Sequence, residues 1–346
     1  MRTRLPTGFP LRRPWARMLT MAMAGVTLIN TACAAGSDAP RLHPSPVTLR
    51  PYAVGHIIDT KTGEPVSFPD WMVSASTQDV IYLGEEHRNA AHIQAAVRVL
   101  DGLLDRDRQP VLALEMFGWD GQVGLSQYLS REDTPREQFL KDAHWNDNWG
   151  GDFSDYEPLI AFARSHTLGV AALNPPLALV RQVAMQGLSQ ALHIPEMGRW
   201  GMWNQSYVDD PAYRAVIVHQ VRQCHGGLSD DAYQRMYEAS MFRDEGMAKT
   251  ITDTLRLISG QQNSGQPNRR AGPVVSYTGG GHIQYQLPIP KRVMRRQQGI
   301  GRQMTVYLTS YDPDRPGEVS ELINEGIADY VWLTPVGPQG SPRRCR

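Results

Sequence analysis

The stretch "DVIYLGEEHRNAAHIQ" (residues 79–94) decides how the rest of the chain is read. An apolar run, Val80 to Leu83, stops at Gly84, and Glu85, Glu86 and His87 follow at once, with His92 shortly after. Continuous rather than alternating apolar character suits a strand covered on both faces. Next comes "AAHIQAAVRVLDGLLDRD", with Ile93, Val97, Leu100 and Leu104 at helical spacing, and then a second apolar run, "VLALEMF" (111–117). Strand, helix, strand at this spacing predicts a parallel sheet with crossover helices.

Working outward, "LGVAALN" (168–174), "VVSYTG" (274–279), "MTVYLT" (304–309) and "YVWLT" (330–334) read as further strands. Between the third and fourth the strand signal vanishes. "PPLALVRQVAMQGL" and "SDDAYQRMYEASMFRDEGMAKTITDTLRLI" are helical, and "SGQQNSGQPNRRAGP" (259–273) is a polar loop leading back. The expected class is therefore α/β: a mostly parallel β-sheet with flanking helices plus a smaller all-helical insertion. Residues 51–175 and 260–336 form the sheet domain, 176–259 the helical subdomain, and 337–346 a disordered tail.

The N-terminus differs from the rest. Arg2, Arg4, Arg12, Arg13 and Arg17 precede the apolar "MLTMAMAGVTLI", and small residues follow. Basic, apolar, small is the order of a secretory signal (1–33), and the apolar run is too short to span a bilayer. "TAC" ending at Cys33 resembles a lipobox, with Asn30 where Leu is usual; "ACA" and "CAA" offer a soluble A-x-A-like alternative. The lipidated reading is preferred, giving a periplasmic protein anchored at the outer membrane through Cys33. Residues 34–50 are Pro- and Ser-rich and read as a tether. Cys224 and Cys345 make no disulfide framework, and no structural bridge is expected.

The chain has 346 residues, 35 basic and 35 acidic, so its formal net charge is zero. No basic stripe exists to neutralise a phosphate backbone, which excludes a nucleic-acid partner.

Four strands end in polar residues: Glu85 and His87 after the first, Glu115 in the second, Asn174 after the third, Gly281 and His282 after the fourth. Carboxyl ends of parallel strands share one edge, where ligands bind, so two carboxylates and two imidazoles are expected in one cleft. A zinc-protease helix is excluded, because His87 and His92 are five apart and so roughly 140° off one another. Singly, each residue has a plainer reading; Glu86 is expected as a solvated or helix-start charge. A carboxylate–imidazole cluster of Glu85, His87, Glu115 and His282 suits a divalent metal or acid–base work.

"YLGEEHRNAAHIQ", "LALEMF", "NPP", "FRDEGMA" and "GGGHIQYQLPIP" occur in an order that resembles the ChaN family of haem-binding, iron-regulated lipoproteins, related to Tiki-type metalloproteases and erythromycin esterases. The resemblance implies haem as cofactor near a homodimer interface, a tyrosine ligand on iron, and a histidine and a lysine from the partner at the propionates. It also implies a role in haem and iron uptake, with an outer-membrane haem receptor as a further candidate partner. Tyr237 is the first choice of ligand, because it precedes "FRDEGMA" on the same helix; Tyr207 and Tyr213 are alternatives. The lysines to choose from are Lys61, Lys141, Lys249 and Lys291. In the related hydrolases, residues matching Glu85, His87, Glu115, Arg243, Asp244 and His282 do chemistry or hold a metal, so a metal-dependent esterase or peptidase is the alternative activity. Trp145, Trp149, Trp200, Met202 and Trp203 either cover a porphyrin or fill the core, and core filling is the preferred reading.

Overall fold

The computed structural model describes residues 52–262, 270–298 and 301–337. The signal segment, the tether, Cys33, Cys345, the tail from 338 and the middle of the 259–273 loop fall outside the described residues.

The eight strands are β1 (Ile57–Asp59), β2 (Glu64–Val66), β3 (Val80–Glu85), β4 (Arg108–Gly118), β5 (Gly169–Asn174), β6 (Arg270–Gly279), β7 (Gln303–Ser310) and β8 (Tyr330–Thr334). They form one sheet in the order β2-β1-β8-β7-β3-β6-β4-β5. The six strands read from the sequence pair in parallel, from β8 through β5. β1 and β2 add an antiparallel hairpin on the β8 side. With three residues each, they carry too little periodicity to be seen beforehand.

Helices cover both faces: α1 (Phe68–Ala75), α2 (Ala90–Leu104), α3 (Gln122–Ser130), α4 (Arg136–Asp142), α5 (Trp145–Asn148), α6 (Glu157–Ser165), α7 (Leu177–Gln186), α8 (Leu188–Ala191), α9 (Pro195–Arg199), α10 (Pro211–Cys224), α11 (Asp230–Gln262), α12 (Ile289–Arg296) and α13 (Pro316–Asn324). Ile81 and Leu83 face one core with Val99, Leu100 and Leu103 of α2. Val80 and Tyr82 face the other, with Met247, Ile251 and Leu255 of α11. Burying each such side chain is worth about 1.5–3 kcal/mol, which explains why β3 reads apolar at every position. α2 begins at Asn89, whose side chain accepts from the Ala91 amide and caps the first turn.

α7 to α11 follow β5 with no strand between them. α11 does not stop at a domain edge, however. Its first half packs Tyr237, Met241 and Phe242 among the helices, and its second half lies on the sheet. Cys224 is disulfide-bonded, which corrects the expectation of no bridge; the partner lies outside the described residues. None of the described helices is long and apolar enough to cross a membrane.

Candidate functional site at the carboxyl edge of the sheet

Strand order explains the site. β6 lies between β3 and β4, so the turn after β6 delivers His282 between the ends that carry Glu85 and Glu115. That turn packs closely on β3: a Cβ on Gly84 would stand 2.6 Å from Ile283 Cγ1 and 3.0 Å from the Gly280 backbone. At the other side, a Cβ on Gly246 would stand 2.2 Å from Pro175. Glycine there lets α11 seat on the end of β5 and reach across to β4.

Side-chain alternation along the strands divides the expected cluster in two. Glu85 continues the face of Ile81 and Leu83 and is buried. It accepts from His87 Nδ1 at 2.8 Å, Tyr156 Oη at 3.0 Å and Tyr277 Oη at 2.6 Å. Trp149 meets the His87 ring edge-on at 5.0 Å. Burial raises the Glu85 pKa; burial opposes protonation of His87, but its bond to Glu85 prevails and raises that pKa too. The pair therefore holds a proton to higher pH than either group would alone. With its side chain 15% exposed, His87 forms the mouth.

Glu115 follows the opposite face, with Ala113. It accepts from Arg243 Nη2 at 2.6 Å and from the Gly279 amide at 2.6 Å, and His282 Nε2 stands 3.4 Å away. Arg243 Nε also donates to Asn174 Oδ1 at 3.0 Å, and Asn174 Nδ2 donates to the Glu115 carbonyl at 2.6 Å. His282 Nδ1 donates to Asp244 Oδ1 at 2.5 Å, and Tyr213 Oη donates to Asp244 Oδ2 at 2.5 Å. Burial works against a charged His282, yet Glu115 and Asp244 overcome it and raise its pKa to about 9. Burial likewise disfavours ionised Glu115, but His282 and Arg243 hold its pKa well below the usual range.

The structure thus joins Glu115, Arg243, Asp244 and His282 in one network and sets Glu85 with His87 in a second beside it. Asn174 joins the first. Tyr156, Tyr277 and Tyr213 complete the shells, and sequence reading assigned none of them to the cleft. Glu86 is not solvated: it is buried and accepts from Thr309 and Ser310. His92 accepts from the Glu86 amide and bonds Thr334, away from His87; burial lowers its pKa to about 4.

As a metal site the arrangement fits poorly. Among the described residues no group of three or more His, Cys, Asp or Glu side chains is placed to hold an ion. The physical reason is occupancy: Arg243 and imidazolium His282 already neutralise Glu115, and two phenols cover Glu85.

The tyrosines expected at haem iron lie on the helical side. Tyr237 is fully buried and donates to Asp209 at 2.7 Å. Tyr213 is fully buried beneath Arg292 and spent on Asp244. Burial raises both phenol pKa values, with Asp209 and Asp244 adding to the effect. As placed, both hydroxyls are engaged by carboxylates of the helical region. Tyr207 is half-buried in the loop before α10, stacked near Phe242 at 6.2 Å and donating to the Met202 carbonyl at 2.8 Å. Burial raises its pKa as well, the Glu245 carboxylate adds to the rise, and Arg296 works the other way to a smaller extent. Trp145 and Met202 are core residues, as expected, and Trp200 packs near Trp119 at 5.8 Å; Trp203, 61% exposed, is not core.

The family profile described as haem-binding uptake, Tiki superfamily, ChaN matches residues 71–293. This chain belongs to that family. The match contains every cleft residue named above. The solved structure of cofacial haem binding to ChaN of Campylobacter jejuni superposes with a TM-score of 0.57 at 18% identity, covering 80% of this chain and 95% of that one. It shares the fold. An erythromycin esterase mutant in its open conformation is more distant, with a TM-score of 0.41 at 13% identity over 74% of this chain and 76% of its own. In sequence, the chloroplastic protein RETICULATA-RELATED 5 of Arabidopsis thaliana is 23% identical over 278 residues, 75% of this chain. The chain spans about a third of that relative's length.

Proposed function

We propose that this ChaN-family chain is an exported haem-binding protein of haem and iron uptake, anchored through Cys33 at the outer membrane and dimeric when loaded. The family match over residues 71–293 carries the reading. The iron ligand is Tyr207, the half-buried member of the three candidates, on a loop that also exposes Trp203 and Val208 as apolar surface for a porphyrin. Bound there, haem supplies a ferric centre that favours an anionic oxygen ligand. The chain's part is to release the Tyr207 hydroxyl from the Met202 carbonyl and to shelter one porphyrin face. Titrating the mature protein with hemin tests this: a Soret shift with a tyrosinate charge-transfer band is expected, and Tyr207→Phe loses the band. Hemin left with the spectrum of free hemin overturns the reading.

One observation supports a second reading, hydrolysis of an ester or peptide at the strand-end cleft. His87, paired with Glu85, is the member of the cleft that reaches the surface. Turnover of a small activated ester, lost in His87→Ala, would favour it.

A further inference from the structure

The amino edge of the sheet, opposite the cleft, collects a different set of charges. β4 and β6 both open on arginine, and their pairing sets Arg108 directly beside Arg270. Arg302 immediately precedes β7, and Asp79 immediately precedes β3. The strand order β7-β3-β6-β4 puts these four starts in a row along that edge. Like charges on neighbouring strands repel, so the two adjoining arginines call for a counter-charge.

The chain supplies little of one. Within the described residues, the ion pair among the four is Arg302 Nη2 with Asp79 Oδ1, at a loose 3.7 Å. Asp79 Oδ2 is engaged by the Arg302 amide at 2.8 Å. Arg108 is 5% exposed and donates to carbonyls, from Nε to Gly272 at 3.0 Å and from Nη1 to Ser76 at 2.5 Å. It is held in place rather than neutralised. Burial first, and then the Arg270 charge, lower its pKa; Asp79 opposes them and Arg302 adds to them. The exposed Arg270 guanidinium has no acceptor among the described residues. Three guanidiniums against one carboxylate leave two formal positive charges.

These charges border a space. Asp79, Arg108 and Arg270 line a cavity of about 220 Å³, and Gly301, beside Arg302, is another of its walls. Leu255 and Ile258 of α11 close its other side. The cavity is therefore cationic on one wall and apolar on the opposite one. Guanidinium forks suit the oxygens of a phosphate group. A phosphomonoester carries close to two negative charges at neutral pH, which matches the surplus better than a single carboxylate does.

We propose that the amino edge of the sheet is a phosphomonoester site: Arg270 and Arg302 grip the phosphate group above the fixed charge of Arg108, and Leu255 and Ile258 receive the apolar body it is attached to. The site is separate from the strand-end cleft and does not depend on the haem reading.

Calorimetric titration of the full mature protein with phenyl phosphate, in phosphate-free buffer at low salt, tests this. The wild type is expected to bind one equivalent with a Kd at or below about 1 mM, inorganic phosphate more weakly, and phenol not at all. Added salt weakens the binding. Arg270→Gln combined with Arg302→Gln lowers the affinity about tenfold or more, and Arg270→Lys keeps part of it. Arg222→Gln, at a 53% exposed position on α10, leaves the affinity unchanged, so loss of charge alone is not the cause. An unchanged Tm in the double variant reports an intact fold. Sedimentation with phosphatidylcholine vesicles containing phosphatidic acid identifies the source of the phosphate. Retention that the double variant loses places it on a lipid headgroup; phenyl phosphate binding without retention makes it a soluble ester. A wild-type protein that binds neither phenyl phosphate nor the vesicles, or a double variant that keeps its affinity for the probe bound, overturns the proposal.

Discussion

The strand-end cleft and the loop–α12 face differ in how their charges are used. In the cleft, Glu115, Arg243, Asp244 and His282 each find an opposite charge inside the network, and hydrogen bonds occupy most of the donors and acceptors. On the loop–α12 face, three arginines share Glu245 and apolar side chains stand in solvent. The residue types that attract attention in a sequence are therefore in the region that has least left over for a ligand. A buried network closed on itself stabilises and orients, whereas an open surplus recruits.

Breaking the closed network gives the largest expected effect. Glu115→Ala strands Arg243 and His282 without their carboxylate, and unfolding by denaturant should register a loss of about 3–5 kcal/mol. A loss below about 1 kcal/mol would mean the cleft is not closed and the contrast with α12 is false.

Next in size is the pH dependence. His282 has its folded pKa raised to about 9 from an ordinary 6.5. Its contribution is fully present below pH 6.5 and is lost as pH rises through 9, about 3 kcal/mol in all. His92 runs the other way, its folded pKa lowered to about 4. The unfolded chain binds its proton first, so stability falls as pH drops from 6.5 toward 4 by a similar amount. Stability should therefore peak near pH 6.5. His282→Gln should flatten the alkaline limb and His92→Gln the acid limb; unchanged limbs in these variants would count against both assignments.

On the open face the effects on folding are smaller. Tyr207→Phe removes one half-buried hydrogen bond, to the Met202 carbonyl, and should cost about 1 kcal/mol of stability. Trp203→Ala, at an exposed position, should stay within about 0.5 kcal/mol while weakening hemin binding several-fold. Large destabilisation by either would reassign that residue to the core.

Much of this was legible in the chain because burial on both faces writes itself as continuous apolar runs. All six runs are strands, and their polar ends do meet at one edge. Less legible was which face each end serves: Glu85 and Glu115 fall on opposite sides because pleat parity and the order β3-β6-β4 are properties of the assembled sheet. Glu86 and His92 look like solvated or ligand residues, yet their partners Ser310 and Thr334 lie more than 200 positions away. Tyr237 sits on the helix that carries the family motif, but its depth against Asp209 and Tyr213 is set by the packing of α10 on α11. The signal for α12 was local all along: Arg292 with Arg295 and Arg296 at three- and four-residue spacing puts three guanidiniums on one side of a helix.

The central claim is that haem binds on the loop–α12 face through Tyr207. Hemin absorbance titrations of wild type, Tyr207→Phe and Tyr237→Phe test it most directly. The account predicts a Soret shift and a tyrosinate charge-transfer band that persist in Tyr237→Phe and disappear in Tyr207→Phe. A band lost in Tyr237→Phe and kept in Tyr207→Phe, or no spectral change with the wild-type protein, would contradict it.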